Sequence, residues 1–251
     1  MTLYMIGIGL WDEKDITLKG LEAVKGCSHV FLESYTSKLG VPVEKLEELY
    51  GQKIELAGRE KVEKHSDDII KPAKNSDVAF LVVGDVFGAT THTDLFLRAQ
   101  EQGVKVEVIN NASVMNAIGI LGLELYKFGK TASIPFHNEH VQTPYNVLKD
   151  NQSLGLHTLM LLDIHADKAR YMDVPYAIDY LLKVEEARSE GVFTKDTTCI
   201  GIARLGSPSP RIVCGTAADL SKTDFGEPLH CLVIPGKLHF VEEEALVHWK
   251  V

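Results

Sequence analysis

Cysteine is scarce in this chain, and what there is lies scattered. The 251 residues hold four, Cys27, Cys199, Cys214 and Cys231, with no C-x-x-C pair. That argues against a disulfide-stapled scaffold and against paired-thiol zinc or redox motifs, and for reduced, buried thiols. Long apolar runs are missing too: none approaches the roughly 18 residues of a membrane span. Basic charge is in the minority, with 26 Lys and Arg against 35 Asp and Glu and a net charge of -9. No concentrated basic patch stands out, so nucleic acid is not an expected partner. The N-terminal MTLYMIGIGLWDEKD has neither a basic n-region nor a small-residue cleavage site. Export is therefore not expected, and the expected location is cytoplasmic.

What is present is an α/β rhythm. Leu3–Leu10 is a near-continuous apolar run, as in a strand buried on both faces of a parallel sheet. Asp15-Ile-Thr opens an amphipathic segment closing at Gly26, and strand-like runs follow at His29–Glu33, Lys53–Leu56, Val78–Val83 and Lys105–Ile109. Helix-like stretches separate them over Glu60–Lys74, His92–Gln102 and Ser113–Gly122. The alternation predicts a parallel, doubly wound sheet in an N-terminal domain, residues 1–130. Beyond it, over 131–251, five strand-like runs with only two longer helices and a hairpin around Ser207-Pro-Ser-Pro predict a mixed-sheet C-terminal domain.

Three turns at predicted strand ends carry the chemistry. GIGLWD, Gly7 to Asp12, has two glycines of a dinucleotide fingerprint but an acid at the third position, where a pyrophosphate would be repelled. Glu33 ends the second strand where a ribose-binding acid would sit, so an NAD-binding reading has one feature on each side. In VVGDVFGATTHTD, Thr91 and Asp94 fit a T-x-x-D helix cap. Asp85 follows a strand's carboxyl end, where open α/β sheets bind ligands. An acid there suits a ligand with an amine, a hydroxyl or positive charge; the alternative is an acid of a solvated turn. In NNASVMNAIG, Ser113 can cap a helix, and the small residues around it allow close approach of a ligand or of a second backbone. Ten histidines show no zinc-binding spacing, so no metal is expected. Nucleophile-elbow and Walker motifs are likewise lacking.

Taken together, GIGLWDEKDITLKGLEAV, GDVFGATTHTDL, NASVMNAIGILGLELYKFGKTASIPF, GLHTLMLLDIHA, ARLGS and PLHCLVIPGKLHF resemble the diphthine synthases along nearly the whole chain. These are S-adenosylmethionine-dependent methyltransferases of the tetrapyrrole methylase superfamily, and the compact length is more like their archaeal form. The resemblance implies a two-lobed α/β homodimer with the cofactor folded in the cleft between lobes. It implies a protein substrate, translation elongation factor 2. There, the amino group of a 3-amino-3-carboxypropyl-histidine is methylated to diphthine on the route to diphthamide, leaving S-adenosylhomocysteine. By position, the resemblance assigns cofactor contacts to Leu10, Asp85, Gly88, Ser113 and Val114, and to Leu162, Leu205 and His230. Val86 departs from the family pattern, which has proline after Gly-Asp. No general base is assigned. The competing readings are a precorrin-type tetrapyrrole methyltransferase, an NAD-binding oxidoreductase and a non-catalytic binding module.

Overall fold

The computed structural model describes residues 1–250, which divide into two compact units, the first Met1–Ala117 and the second from Ile118 onward. In the first, strands β1 (Thr2–Gly7), β2 (His29–Glu33), β3 (Glu55–Ala57), β4 (Val78–Val82) and β5 (Lys105–Ile109) form one sheet in the order β3-β2-β4-β1-β5. Every pairing is parallel. The apolar runs are continuous because both faces are covered. Val78, Phe80 and Val82 of β4 pack into one core cluster, while Ala79 and Leu81 pack into the other. The chain leaves β1 toward β2 on one side and crosses from β4 to β5 on the other, which makes the carboxyl end of β1 a topological switch point.

The second unit contains β6 (Ala132–Ile134), β7 (Thr158–Leu162), β10 (Thr198–Ala203), β11 (Arg211–Thr216) and β12 (His230–Ile234) in the order β11-β10-β12-β7-β6. Only β6 and β7 run parallel, so the sheet is mixed, and β10–β11 is the expected hairpin. A short antiparallel ribbon, β8 (Ile164–His165) and β9 (Arg170–Tyr171), follows β7. Helices Thr143–Ser153 and Val174–Arg188 cover the sheet.

The division at Ala117–Ile118 precedes the 130/131 boundary expected from the sequence. Residues 118–130 bond into the second unit: Gly129 N–H donates to His157 O, and His157 N–H to Lys127 O, both at 2.9 Å. The Glu124 N–H donates to the carboxylate of Glu242, on the helix Phe240–Val247. The predicted helix over Glu60–Lys74 is three pieces, Arg59–Glu63, Asp67–Ile70 and a 3-10 turn at Pro72–Lys74; Pro72, which lacks the amide a continuing helix needs, separates the last two. All four cysteines are free and buried. Among the described residues, no helix is long and apolar enough to cross a membrane.

Candidate cofactor site

The three motif turns converge on one edge of the first sheet. GIGLWD leaves β1, GDVFG leaves β4 and NNASVM leaves β5, and β1 lies between the other two. Gly9 and Gly84 tie the first two turns with reciprocal backbone bonds, Gly84 N–H to Gly9 O at 2.6 Å and Gly9 N–H to Gly84 O at 3.2 Å. Both have positive φ, 80° and 82°, which a side chain would strain.

Asp85 is the fastening of this edge. Its carboxylate accepts the Phe87 N–H at 3.1 Å, the Asn110 side-chain amide at 3.0 Å and the Asn111 N–H at 3.0 Å. Partial burial alone would raise its pKa. The donated hydrogen bonds from Asn111, Phe87, Asn110 and Val86 outweigh that and hold the acid below the ordinary carboxylate value. Asp85 is thus an ionised acceptor at working pH. Asn111 completes the joint, its side-chain amide donating to Gly7 O at 3.0 Å and Asp15 O at 2.9 Å. Ser113 is buried and caps the turn Val114–Ala117 as expected. Its hydroxyl accepts the Met115 N–H at 3.2 Å, while the Asn116 side chain accepts the Ser113 N–H at 2.8 Å. A Cβ on Gly88 would stand 2.8 Å from the Ser113 side chain, so only glycine lets these turns close up.

The glycine turn after β1 holds an anion of its own. The Asp15 carboxylate accepts the Trp11 N–H at 2.7 Å and lies 3.2 Å from Leu10 N and 3.4 Å from Asp12 N. A pyrophosphate would need those same amides. Asp12, the acid expected to repel phosphate, instead accepts the Lys14 N–H. Glu33 is also committed: it is buried and accepts both backbone and hydroxyl of Thr36 and the Tyr35 N–H. Neither half of a dinucleotide site is free.

One expectation fails here. Thr91 and Asp94 do not cap a helix: the helix is Thr93–Glu101, its N-cap is His92, and that position makes no side-chain cap hydrogen bond. The Thr91 hydroxyl lies 3.5 Å from the Tyr35 hydroxyl, and Asp94 pairs with Arg98 one turn on at 2.7 Å. The short-range pattern was outcompeted by a tertiary contact and an i,i+4 ion pair.

In the second unit, Leu162, Leu205 and His230 come together on one sheet edge. Leu162 ends β7, His230 opens β12 one residue beyond the Leu161–Cys231 pair, and Leu205 follows Ala203, the β10 partner of His230. Arg204, at a left-handed φ of 53°, braces this edge by donating to Phe225 O at 2.9 Å and Glu227 O at 2.8 Å. His230 Nε2 lies 3.1 Å from Gly226 O and from Glu227 O, so that nitrogen carries the hydrogen. Burial pushes its pKa down, keeping the ring neutral. Nδ1 is then a buried acceptor, and it has no hydrogen-bond partner among the described residues. Asp15, Asn111 and Arg204 were not singled out from the sequence, though the first two stand inside or beside the motif turns.

Against known proteins, residues 2–221 match the family model for tetrapyrrole (corrin/porphyrin) methylases. The chain belongs to the tetrapyrrole methylase family. The diphthine methyl ester synthase of Schizosaccharomyces pombe is 50% identical over 97% of this chain and 92% of its own length. The diphthine synthase of Methanococcus maripaludis strain C6 is 49% identical over 97% of both chains. A crystal structure of a diphthine synthase superposes with a TM-score of 0.91 at 41% identity, covering 100% of this chain and 96% of the other. As a family member the protein is a methyltransferase, and S-adenosylmethionine is its methyl donor. The fold expected from the resemblance, a parallel-sheet unit followed by a mixed-sheet unit, is the one observed.

Donor chemistry and residues fit. The donor carries no phosphate, and this edge offers an ionised carboxylate, glycine-lined turns and no free anion nest. Within the second unit, the unpartnered His230 Nδ1 is free to accept a hydrogen bond, as an amine or hydroxyl group of a nucleoside could donate.

Proposed function

We propose that this protein methylates the amino group of the 3-amino-3-carboxypropyl arm carried by the modified histidine of translation elongation factor 2, giving diphthine. The observation that carries this reading is near-full-length identity of about half to the S. pombe and M. maripaludis proteins, both named for diphthine synthesis. In the same reading, Leu10, Asp85, Gly88, Ser113 and Val114 hold the cofactor with Leu162, Leu205 and His230, and the protein works as a cytoplasmic homodimer. When bound, S-adenosylmethionine would supply an activated sulfonium methyl group for the amine, with the thioether of S-adenosylhomocysteine as the leaving group. The task left to the chain is orientation. Asp85 ties the β4 turn to the β5 turn and stays ionised. His230 stays neutral and offers an acceptor. The acceptor amine must be in its free-base form.

The test is mass spectrometry of elongation factor 2 bearing the unmethylated arm, before and after incubation with protein and donor. Added methyl groups on that histidine are expected; an unmodified factor together with a methylated corrin-ring precursor would replace this reading by the tetrapyrrole one. Calorimetry supplies the cofactor half. S-adenosylhomocysteine should bind, and tighter binding of NAD would overturn it.

The name of the S. pombe relative favours a second product, in which the arm's carboxylate also receives a methyl group. The two are separated in the same spectrum, since mild alkali removes an ester methyl and leaves N-methyl groups in place.

A further inference from the structure

Just past Leu162, at the carboxyl ends of the parallel pair β6–β7, stands a cluster that the cofactor assignments leave out. The Phe136 N–H donates to the Asp163 carboxylate at 2.9 Å, and Asp163 N–H donates to Ile134 O at 3.2 Å, so the Phe136 ring is held over the strand ends. Arg170 of β9 lies over that ring, its guanidinium carbon 3.8 Å from the centroid. His165 of β8 stands opposite Arg170 across the ribbon, its ring 5.2 Å from Phe136. His165 Nε2 is 3.6 Å from the Asp163 carboxylate. Arg59 and Arg188, each stacked on a tyrosine, also pair with a carboxylate, Glu63 and Glu190. Arg170 is stacked in the same manner and exposed, yet it pairs with no acid among the described residues, although Asp167 and Glu139 stand in the neighbouring loops. A guanidinium fixed by an aromatic face, its fork of donors free, is pre-organised for a carboxylate ligand.

We infer that Arg170, positioned by Phe136, binds the carboxylate of the substrate's amino-carboxypropyl arm and thereby places the neighbouring amine for methylation. The inference rests on the function proposed above, because it takes its ligand from that substrate. The arm is an α-amino acid, with one carboxylate and one amine. Arg170 meets the first, and the His165–Asp163 pair across the ribbon presents polar groups toward the second. The hydrophobic donor-binding edge at Leu162 adjoins them along the chain.

The experiment compares full-length protein with Arg170→Ala and Arg170→Lys, using elongation factor 2 that bears the unmethylated arm. Three readings are taken: KM and kcat for N-methylation, the Kd for S-adenosylhomocysteine, and the thermal midpoint. A charged hydrogen-bonding contact of this kind corresponds to about a ten- to hundredfold change in binding. The alanine variant should therefore raise KM by about that factor, with Kd and midpoint unchanged, and lysine should restore part of the loss. Unchanged KM in the alanine variant, or a KM rise matched by an equal loss of S-adenosylhomocysteine binding, overturns the role of Arg170 while leaving the function standing. Wild-type protein that leaves the arm unmethylated removes the proposed function itself, and the inference with it.

Discussion

Asp15 holds Trp11: its carboxylate accepts the Trp11 N–H at 2.7 Å and stands within reach of the amides on either side. This makes the turn after β1 a filled anion nest rather than a vacant one. Removing the acid leaves these solvent-accessible amides without their partner, at a cost of about 0.5–1.5 kcal/mol. Asp15→Ala should lower unfolding stability by that amount in a urea titration. It should also weaken S-adenosylhomocysteine, because Leu10 belongs to the same turn. A variant with wild-type stability would show that the nest contributes nothing.

Asp85 joins the turns after β4 and β5 through one carboxylate, so its loss should act on the site more than on the core. Asp85→Ala is expected to weaken S-adenosylhomocysteine by about tenfold or more in calorimetry, the scale of one to two charged hydrogen bonds. Asp85→Asn keeps the shape but has only one acceptor oxygen for donors that now reach two, and should fall between alanine and wild type. Equal affinities across the three proteins would remove Asp85 from the site.

Gly88 and Ser113 form a coupled pair, since a Cβ at 88 would overlap the Ser113 side chain at 2.8 Å. Gly88→Ala should weaken cofactor binding and destabilise the turn, and Ser113→Gly should recover part of that loss by vacating the space. A double-mutant cycle reads the coupling, expected at about 0.5–3 kcal/mol. Additive effects would mean that the two turns adjust independently.

The features legible in the sequence were those written in continuous local pattern. Both faces of β4 are apolar, and each neighbouring sheet position demands it, so Val78–Val83 reads as a central strand. The glycine turns and Asp85 were legible for the same reason, because a strand end followed by glycine and a short polar residue is a local signal. Asp15 was not, as the partner of an acid's carboxylate is set by how a loop folds back. Thr91 and Asp94 mark the opposite failure, a valid capping pattern overruled by Tyr35 and Arg98. The ribbon β8–β9 has two residues per strand, too few for alternation to appear. The helix Phe240–Val247 went unread because Phe240, Val241 and Val247 are exposed, leaving no clean apolar stripe.

Within the second unit, Glu242 collects a buried network: the Glu124 and His239 amides, the His157 ring and the Lys127 ammonium all donate to it. Gly236 N–H donates to His157 Nδ1, so Nε2 carries the hydrogen given to Glu242. Removing one partner strands the others, at about 3–5 kcal/mol. Glu242→Leu should therefore cost far more stability than Lys14→Ala, whose ammonium is mostly exposed. Comparable losses in denaturant titrations would contradict the network.

Acid should destabilise the protein in two stages, and the order follows from which groups are shifted. His92 is wholly buried; burial pushes its pKa below the ordinary 6.5, and the nearby Glu33 charge only partly opposes this. Its Nε2 has no partner among the described residues, so a proton there would have no acceptor. His230 is shifted the same way. As pH falls through 6.5, the unfolded chain takes up protons that the folded chain refuses. Stability is therefore full above that value and begins to fall below it. The second stage belongs to Glu242 and Glu185. Burial alone would raise both, but donated hydrogen bonds outweigh it and hold each at about 2, against 4.5 when unshifted. Their stabilisation is present above pH 4.5 and is lost as pH falls toward 2. Thermal midpoints measured from pH 7.5 to 3 should show both declines. His92→Phe, which keeps a ring against Phe80 and Tyr35, should make the first shallower, leaving the share of His230, and should leave the second unchanged. An unchanged slope between pH 7 and 5.5 in that variant would show that His92 is not the group responsible.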